Sequence, residues 1–269
     1  MRKYEWMPAL AISALALSVP ARAQDEQAAE LAKKLSNPLA ALISVPMQYN
    51  QDDYGGVNDG ASVSRLDIKP VIPFSLNTDW NLISRTIVPL IDQRDFPSAA
   101  MNESGLGDIN ASLFFSPKSP TAGGWIWGVG PVFLLPTATK DVLGTEKWGL
   151  GPTAVALKQT GPWTVGLLAN HIWGVAGNDS RSDVSATFLQ PFLAYNTKTQ
   201  TTFSTNTEST YDWNGKQWQV PLNFAVAQMF KVGTQLLQVQ VGARYWADAP
   251  ADGPDGWGLR LQLTLLYPK

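Results

Sequence analysis

The chain has 269 residues, 45% hydrophobic and 16% charged, with a formal net charge of -2, one His and no Cys. That balance excludes a nucleic-acid partner, which calls for a basic patch, and it excludes a disulfide framework or a thiolate metal site. Eleven Trp, ten Phe and seven Tyr make a heavy aromatic load.

The N-terminus reads as a targeting segment. Arg2 and Lys3 give a basic start, residues 9–19 a short apolar run, and Ala21-Arg22-Ala23 a small-x-small cleavage pattern. The run is shorter than the about 20 apolar residues of a membrane helix, so residues 1–23 are read as a signal peptide. No later apolar run is long enough to span a bilayer as a helix. A mature chain resident in a membrane would therefore be a closed barrel. Residues 25–36 are rich in the helix formers Ala, Glu, Leu and Lys. Ala28, Leu31, Ala32 and Leu35 form a thin apolar stripe, and Asn37-Pro38 stops the helix. Residues 24–38 are thus a short periplasmic helix, either a lead-in or a plug lying in a barrel mouth, and the barrel occupies 39–269.

From Leu39 the pattern changes to period two, the mark of strands with one apolar and one polar face. Residues 42–48 set Ile43, Val45 and Met47 against Ser44 and Gln48, and residues 62–74 set Leu66, Ile68, Ile72 and Phe74 against Arg65, Asp67 and Lys69. Residues 79–91 are an apolar run of poor alternation that contains Arg85; 107–115 set Ile109, Ala111, Leu113 and Phe115 against Asp108, Asn110 and Ser112. Residues 125–135 put Trp125, Trp127, Val129 and Phe133 on one face, with Gly128 and Gly130 on the other. Segments 148–157, 163–175 and 184–195 follow. Residues 201–213 set Phe203, Tyr211 and Trp213 against Asn206 and Glu208; 218–226 set Trp218, Leu222 and Phe224 against Gln219 and Asn223; 237–245 set Val239, Val241 and Tyr245 against Gln238, Gln240 and Arg244. The closing segment, 256–267, is the cleanest: Trp257, Leu259, Leu261, Leu263, Leu265 and Tyr267 alternate with Gly258, Arg260, Gln262 and Thr264.

Most of the twelve segments run about 10 to 14 residues, which suits tilted strands crossing a bilayer, where soluble strands average about 5 or 6. Odd-numbered connections are longer on average and rich in Asp, Gly and Asn, even ones shorter, as in outer-membrane barrels. The expected fold is therefore all-β, a transmembrane antiparallel up-and-down barrel of about twelve strands with a short N-terminal helix. Pro46, Pro70, Pro73, Pro89, Pro131, Pro152, Pro191 and Pro221 fall within strands; with no edge in a closed barrel they are expected at bulges or strand ends.

The blocks Asn37-Pro38-Leu39-Ala40-Ala41-Leu42-Ile43-Ser44-Val45-Pro46, Pro70-Val71-Ile72-Pro73-Phe74, Gly123-Gly124-Trp125-Ile126-Trp127-Gly128-Val129-Gly130-Pro131 and Asn206-Thr207-Glu208-Ser209-Thr210-Tyr211 resemble a bacterial family. It comprises outer-membrane β-barrel proteins related to the phenol meta-pathway degradation proteins, often labelled transporter or neuromedin U. The resemblance covers essentially the whole mature chain. It implies an outer-membrane barrel tied to uptake of small aromatic or apolar compounds, with no catalytic motif to carry over. One departure from barrels in general is that Tyr267 is followed by Pro268-Lys269, where an aromatic residue usually ends the chain.

With apolar faces toward lipid, the alternate residues line the lumen: Arg65, Asp67, Lys69, Arg85, Asp108, Asn206, Glu208, Arg244, Arg260 and Gln262. Two readings follow. Paired charges close the interior, since buried charges need partners, or the arginines bias a polar constriction toward anions. Gly128, Gly130, Gly149, Gly151 and Gly166 leave room either for a ligand or for a bulky neighbour. His171, beside Asn170, invites comparison with outer-membrane phospholipase A. Its phase with Val165, Leu167 and Trp173 instead puts it in the aromatic belt on the lipid side, and Trp173 stands where that enzyme has serine. Asp52, Asp53, Asp59, Asp252 and Asp255 read as solvated loop charge. The expected function is passive transport of small molecules, with a blocked structural barrel second and a lipid-acting enzyme third. No cofactor is implied. The implied partners are outer-membrane lipid, lipopolysaccharide, the barrel-assembly machinery and a small-molecule solute.

Overall fold

The computed structural model describes residues 30–54 and 60–267. The expected signal peptide, the start of the helix, Asp59 and the terminal Pro268-Lys269 lie outside the described residues. The strands in chain order are β1 (Ile43–Tyr54), β2 (Ala61–Ile68), β3 (Val71–Ser75), β4 (Trp80–Arg94), β5 (Glu103–Leu106), β6 (Ile109–Pro117), β7 (Trp125–Leu135), β8 (Lys147–Thr160), β9 (Trp163–Gly177), β10 (Ser185–Asn196), β11 (Thr201–Thr207), β12 (Ser209–Asp212), β13 (Gln217–Val232), β14 (Gln235–Asp248) and β15 (Asp255–Tyr267). Each strand pairs antiparallel with its neighbours, and β15 returns to β1 in register from Ile43↔Tyr267 to Asp53↔Asp255. Three staves are interrupted, β2/β3 at Lys69-Pro70, β5/β6 at Gly107-Asp108 and β11/β12 at Glu208, so the fifteen strands make a closed barrel of twelve staves.

The exterior shows why this barrel crosses a bilayer. Trp125, Trp163, Phe203, Phe230, Phe74 and Tyr267 ring the end that carries the short turns. Trp148, Trp173, Trp213, Trp218, Tyr245 and Trp257 ring the end that carries the long loops. Between them stand Leu150, Val165, Leu167, Val226, Val241 and Leu259, all exposed. An apolar band between two aromatic girdles is the surface of an outer-membrane barrel, and the closed ladder leaves no edge in lipid. No described helix is long and apolar enough to cross a membrane; the strands do it.

The prolines are not confined to bulges and ends. Pro70 lies in the β2/β3 break and Pro221 beside a register shift, but Pro46, Pro73, Pro89, Pro131, Pro152 and Pro191 sit inside continuous strands. A strand residue points its N–H toward one neighbour only, so a missing N–H weakens one ladder and spares the other. Pro131 and Pro152 face each other across β7 and β8. The β6–β7 pairing lapses between Ser112↔Val132 and Phe115↔Val129, and the β8–β9 pairing lapses between Leu150↔Trp173 and Thr153↔Asn170. The lost bonds fall on the far sides of the two prolines. Gly130 and Gly151 occupy the same places because a Cβ there would run into the carbonyls of Leu113 and His171.

The barrel interior holds two apolar clusters. The larger joins Leu39, Ile83, Phe114, Val155, Leu157 and Leu168, with Phe188 and Phe192 against it. The smaller joins Leu31 and Ala32 of the helix at 30–35 to Leu42, Met229 and Leu266. The helix therefore lies across the turn-end mouth, its stripe turned inward. Gln159 Nε2 on β8 donates to the Lys33 carbonyl at 2.9 Å, and Ser36 Oγ lies 3.4 Å from Asn196 Oδ1 on β10. Asn37 Oδ1 accepts from the Leu39 amide at 2.9 Å, a local turn that ends the helix and sends Leu39 to the larger cluster.

Candidate functional site: a lumen with two unlike walls

On β13, β14, β15, β1 and β2 the inward positions away from the helix end are mostly polar, because these strands alternate cleanly; nearer the helix Ala227, Met229 and Leu266 turn inward instead. The centre of this wall is Glu208, which the β11/β12 break leaves outside either strand's ladder. Its Oε2 accepts from Arg260 Nη2 at 2.6 Å and from Arg244 Nη2 at 3.2 Å. Arg260 Nε donates to Asn50 Oδ1 at 2.8 Å, and Arg244 Nε to Asn223 Oδ1 at 3.1 Å. Arg244 Nη1 reaches Asp52 Oδ2 at 2.8 Å, while Trp246 Nε1 donates to the other oxygen of Asp52 at 2.9 Å. Asn223 Nδ2 completes the chain to Asn206 Oδ1 at 3.0 Å. Arg244, bonded to three side chains, and Arg260, bonded to two, are held rigid.

A second group stands on β2. Asp67 takes Arg65 Nε at 2.6 Å and Lys69 Nζ at 3.6 Å. Asp67 is buried, the Lys69 side chain is 11% exposed and that of Arg65 44%. Gln262 Nε2 donates to Thr264 Oγ1 at 3.0 Å, further toward the helix. Arg85 differs from the other arginines. It projects from β4 beside a cavity, and among the described residues its guanidinium has neither a hydrogen bond nor an ion pair.

The opposite wall, on β4 and β6 to β10, is mostly apolar toward the lumen as well as toward lipid, with Arg85, Ser112, Thr153, Thr164 and Gln190 its polar exceptions. Ile83, Phe114, Val132, Val155, Leu157, Leu168 and Ile172 are buried there. The inward glycines serve this packing: Gly128 faces Leu39 and Phe114, Gly149 faces Ile172, and Gly166 faces Phe192 and Leu157. They make room for bulky neighbours.

Most of the residues placed on the lumen by alternation stand together: Asp67 and Lys69, Asn206, Glu208, Arg244, Arg260 and Gln262 within the polar wall, Arg65 near its loop end and Arg85 across from it. Asp108 is the correction. It sits in the β5/β6 break, and its carboxylate accepts from the Thr145 amide at 2.6 Å, Thr145 Oγ1 at 2.7 Å and the Ala138 amide at 3.2 Å. Those donors tie it to the loop after β7 and away from the charged network. Asp52 is the opposite correction, an interior partner of Arg244 and not a solvated loop acid. It continues the phase of Ser44, Gln48 and Asn50, so extending the first strand by two pairs of residues would have found it. Phe192, Gln190 and Asn50 were also missed.

His171 faces outward. Its Nδ1 lies 2.7 Å from Thr187 Oγ1, which also accepts from Trp213 Nε1 at 2.8 Å, and its ring packs 4.2 Å from that of Trp173. Nε2 is buried without a hydrogen-bond partner. No group of three or more metal-binding side chains occurs among the described residues.

No protein-family model matches the chain, and no curated protein does. Solved structures do. An outer membrane channel from Pseudomonas putida F1 superimposes with a TM-score of 0.64 at 16% identity, over 84% of this chain and 94% of that one. The NanC porin does so with a TM-score of 0.51 at 12% identity, over 83% and 98%. Outer membrane phospholipase A from Escherichia coli follows with a TM-score of 0.47 at 11% identity, over 84% and 90%. At these identities the likeness is one of fold, and the fold is that of an outer-membrane β-barrel.

Proposed function

We propose that the chain is an outer-membrane channel for passive uptake of small molecules with aromatic or other apolar bodies. We further propose that it belongs with the barrel proteins grouped with the phenol meta-pathway degradation proteins. The observation that carries the reading is the lumen itself. One wall is charged and hydrogen-bonded, the other apolar, and between them and the helix lies a cavity of about 220 Å³. A barrel serving only as a scaffold has no need of unlike walls; a path for amphipathic solutes does. The described part of that segment, residues 30–38, is then a plug that seats Leu31 and Ala32 in one cluster and delivers Leu39 to the other.

The test is planar-bilayer conductance of the refolded protein. The expected result is small discrete steps in wild type and larger ones in Leu31→Ser and Leu39→Ser, which loosen the plug. Silence in all three overturns the channel reading. It would favour a structural barrel locked shut, a reading supported by the bonding of Glu208 to both Arg244 and Arg260. An enzyme acting on lipid would rest on the His171–Thr187 contact. Among the described residues no carboxylate or amide bonds to the free ring nitrogen, where a hydrolytic triad would have its third member. Phospholipase activity that disappears in His171→Ala would reinstate that reading.

A further inference from the structure

The cavity beneath the charged network has a chemistry of its own. Arg85 and, at the helix edge, Lys34 supply cations and Gln190, Gln238 and Gln262 supply amides, while Phe192 and Leu168 supply an apolar flank; among the described residues no acid lines it. The other lumen cations are already engaged. Glu208 and Asp52 hold Arg244 and Arg260, Asp67 holds Arg65 and Lys69, and Glu30 holds Lys34 at 2.9 Å. Among these cations and the described residues Arg85 alone keeps its five donors uncommitted, and a guanidinium matches a carboxylate bidentately. The volume, about 220 Å³, is below the roughly 300–1,000 Å³ of pockets for drug-sized ligands, so the occupant is of single-ring size.

We propose that this cavity is a binding site for small monocarboxylates with an apolar, ring-sized body. The carboxylate sits on Arg85 with glutamine amides beside it, and the ring lies against Phe192 and Leu168. The inference rests on the lumen being a solute path and names the class of solute. It also gives the apolar wall a part in recognition: the head group alone would satisfy Arg85, but only the body fills the greasy flank.

The experiment is fluorine NMR titration of the refolded protein in detergent with para-fluorobenzoate. Para-fluorobenzyl alcohol probes the body without the charge, and fluoroacetate the charge without the body. Wild type is expected to bind the benzoate most tightly. Arg85→Gln should weaken it about tenfold or more, the scale of a hydrogen bond to a charged group, leave the alcohol unchanged, and be rescued within a few-fold by Arg85→Lys. Phe192→Ala should weaken benzoate and alcohol alike. Heat-modifiable gel mobility establishes that each variant is folded. Benzoate binding that is absent from wild type, insensitive to Arg85→Gln, or matched by fluoroacetate overturns the site. Binding needs no conduction, so the two readings fail separately: conducting steps without Arg85-dependent binding sink the site alone, and Arg85-dependent binding in a silent bilayer sinks the channel alone.

Discussion

The two walls of the lumen are built from the same kind of strand yet are held by different physics. The charged wall joins Arg244, Arg260, Glu208, Asp52, Asn50 and Asn223 through bonds of 2.6 to 3.2 Å. Buried ion pairs of this sort break nearly even against their desolvation cost, so this wall contributes position and polarity more than stability. The apolar wall packs Phe114, Ile83, Val155, Leu157 and Leu168 around Leu39. Each such side chain contributes about 1.5–3 kcal/mol by leaving water. A barrel normally has one apolar surface, its outside. Here a second one, inside, anchors the N-terminal segment and makes the lumen amphipathic.

The sharpest way to break that contrast is Phe114→Ala. Phe114 is 1% exposed and central to the larger cluster, so the change should cost about 3–5 kcal/mol, read from urea unfolding of the refolded barrel. It should also loosen Leu39 and raise conductance. A cost below about 1 kcal/mol would mean that water already reaches the wall, and the apolar side would be a channel surface instead of a core.

Glu208→Gln probes the other wall. It removes the shared negative charge from between two buried guanidiniums, and the loss of one member of a buried pair costs about 3–5 kcal/mol. Glu208 is 18% exposed, so screening by lumen water should hold the loss near the lower figure. The comparison sharpens in the double variant Glu208→Gln/Arg260→Met. If the network positions more than it stabilises, removing both charges should recover part of the loss. An additive double loss would show that the charged wall stabilises in its own right.

The same contrast decides what could be read from sequence. Alternation on β1, β2, β13, β14 and β15 is clean because one face meets lipid and the other meets charge; there Arg244, Arg260 and Gln262 fell into place. On β4, β8 and β9 the alternation fades because both faces are apolar. That is why Arg85 seemed to sit on a poorly patterned strand, and why the inner greasy surface went unread. Breaks at Glu208 and Asp108 were invisible for another reason. Period two survives across them, and only three-dimensional pairing shows that the loop after β7 captures Asp108 while Glu208 remains in the lumen.

Lys147 gives the smallest and most discriminating test. It lies on β8, at the loop end of the apolar wall, with its side chain only 6% exposed. Its partner is Asp183 at 3.0 Å, whose side chain is 81% exposed. Arg244, by contrast, bonds three interior partners. Exposed ion pairs are worth about 0–1 kcal/mol, because solvent screens them and the side chains lose freedom. Lys147 shares one trait with Arg244, its burial, and one with surface pairs, its wet partner. If burial of the cation governs the cost, Asp183→Asn should behave like Glu208→Gln. If hydration of the acceptor governs it, the loss should stay within about 1 kcal/mol and shrink further in high salt. The second outcome is expected, because water at the loop end can replace a carboxylate that already stands in it. Urea midpoints of wild type and Asp183→Asn at low and high salt measure the difference. A loss as large as that of Glu208→Gln would mean that the charged wall owes nothing special to its interior position.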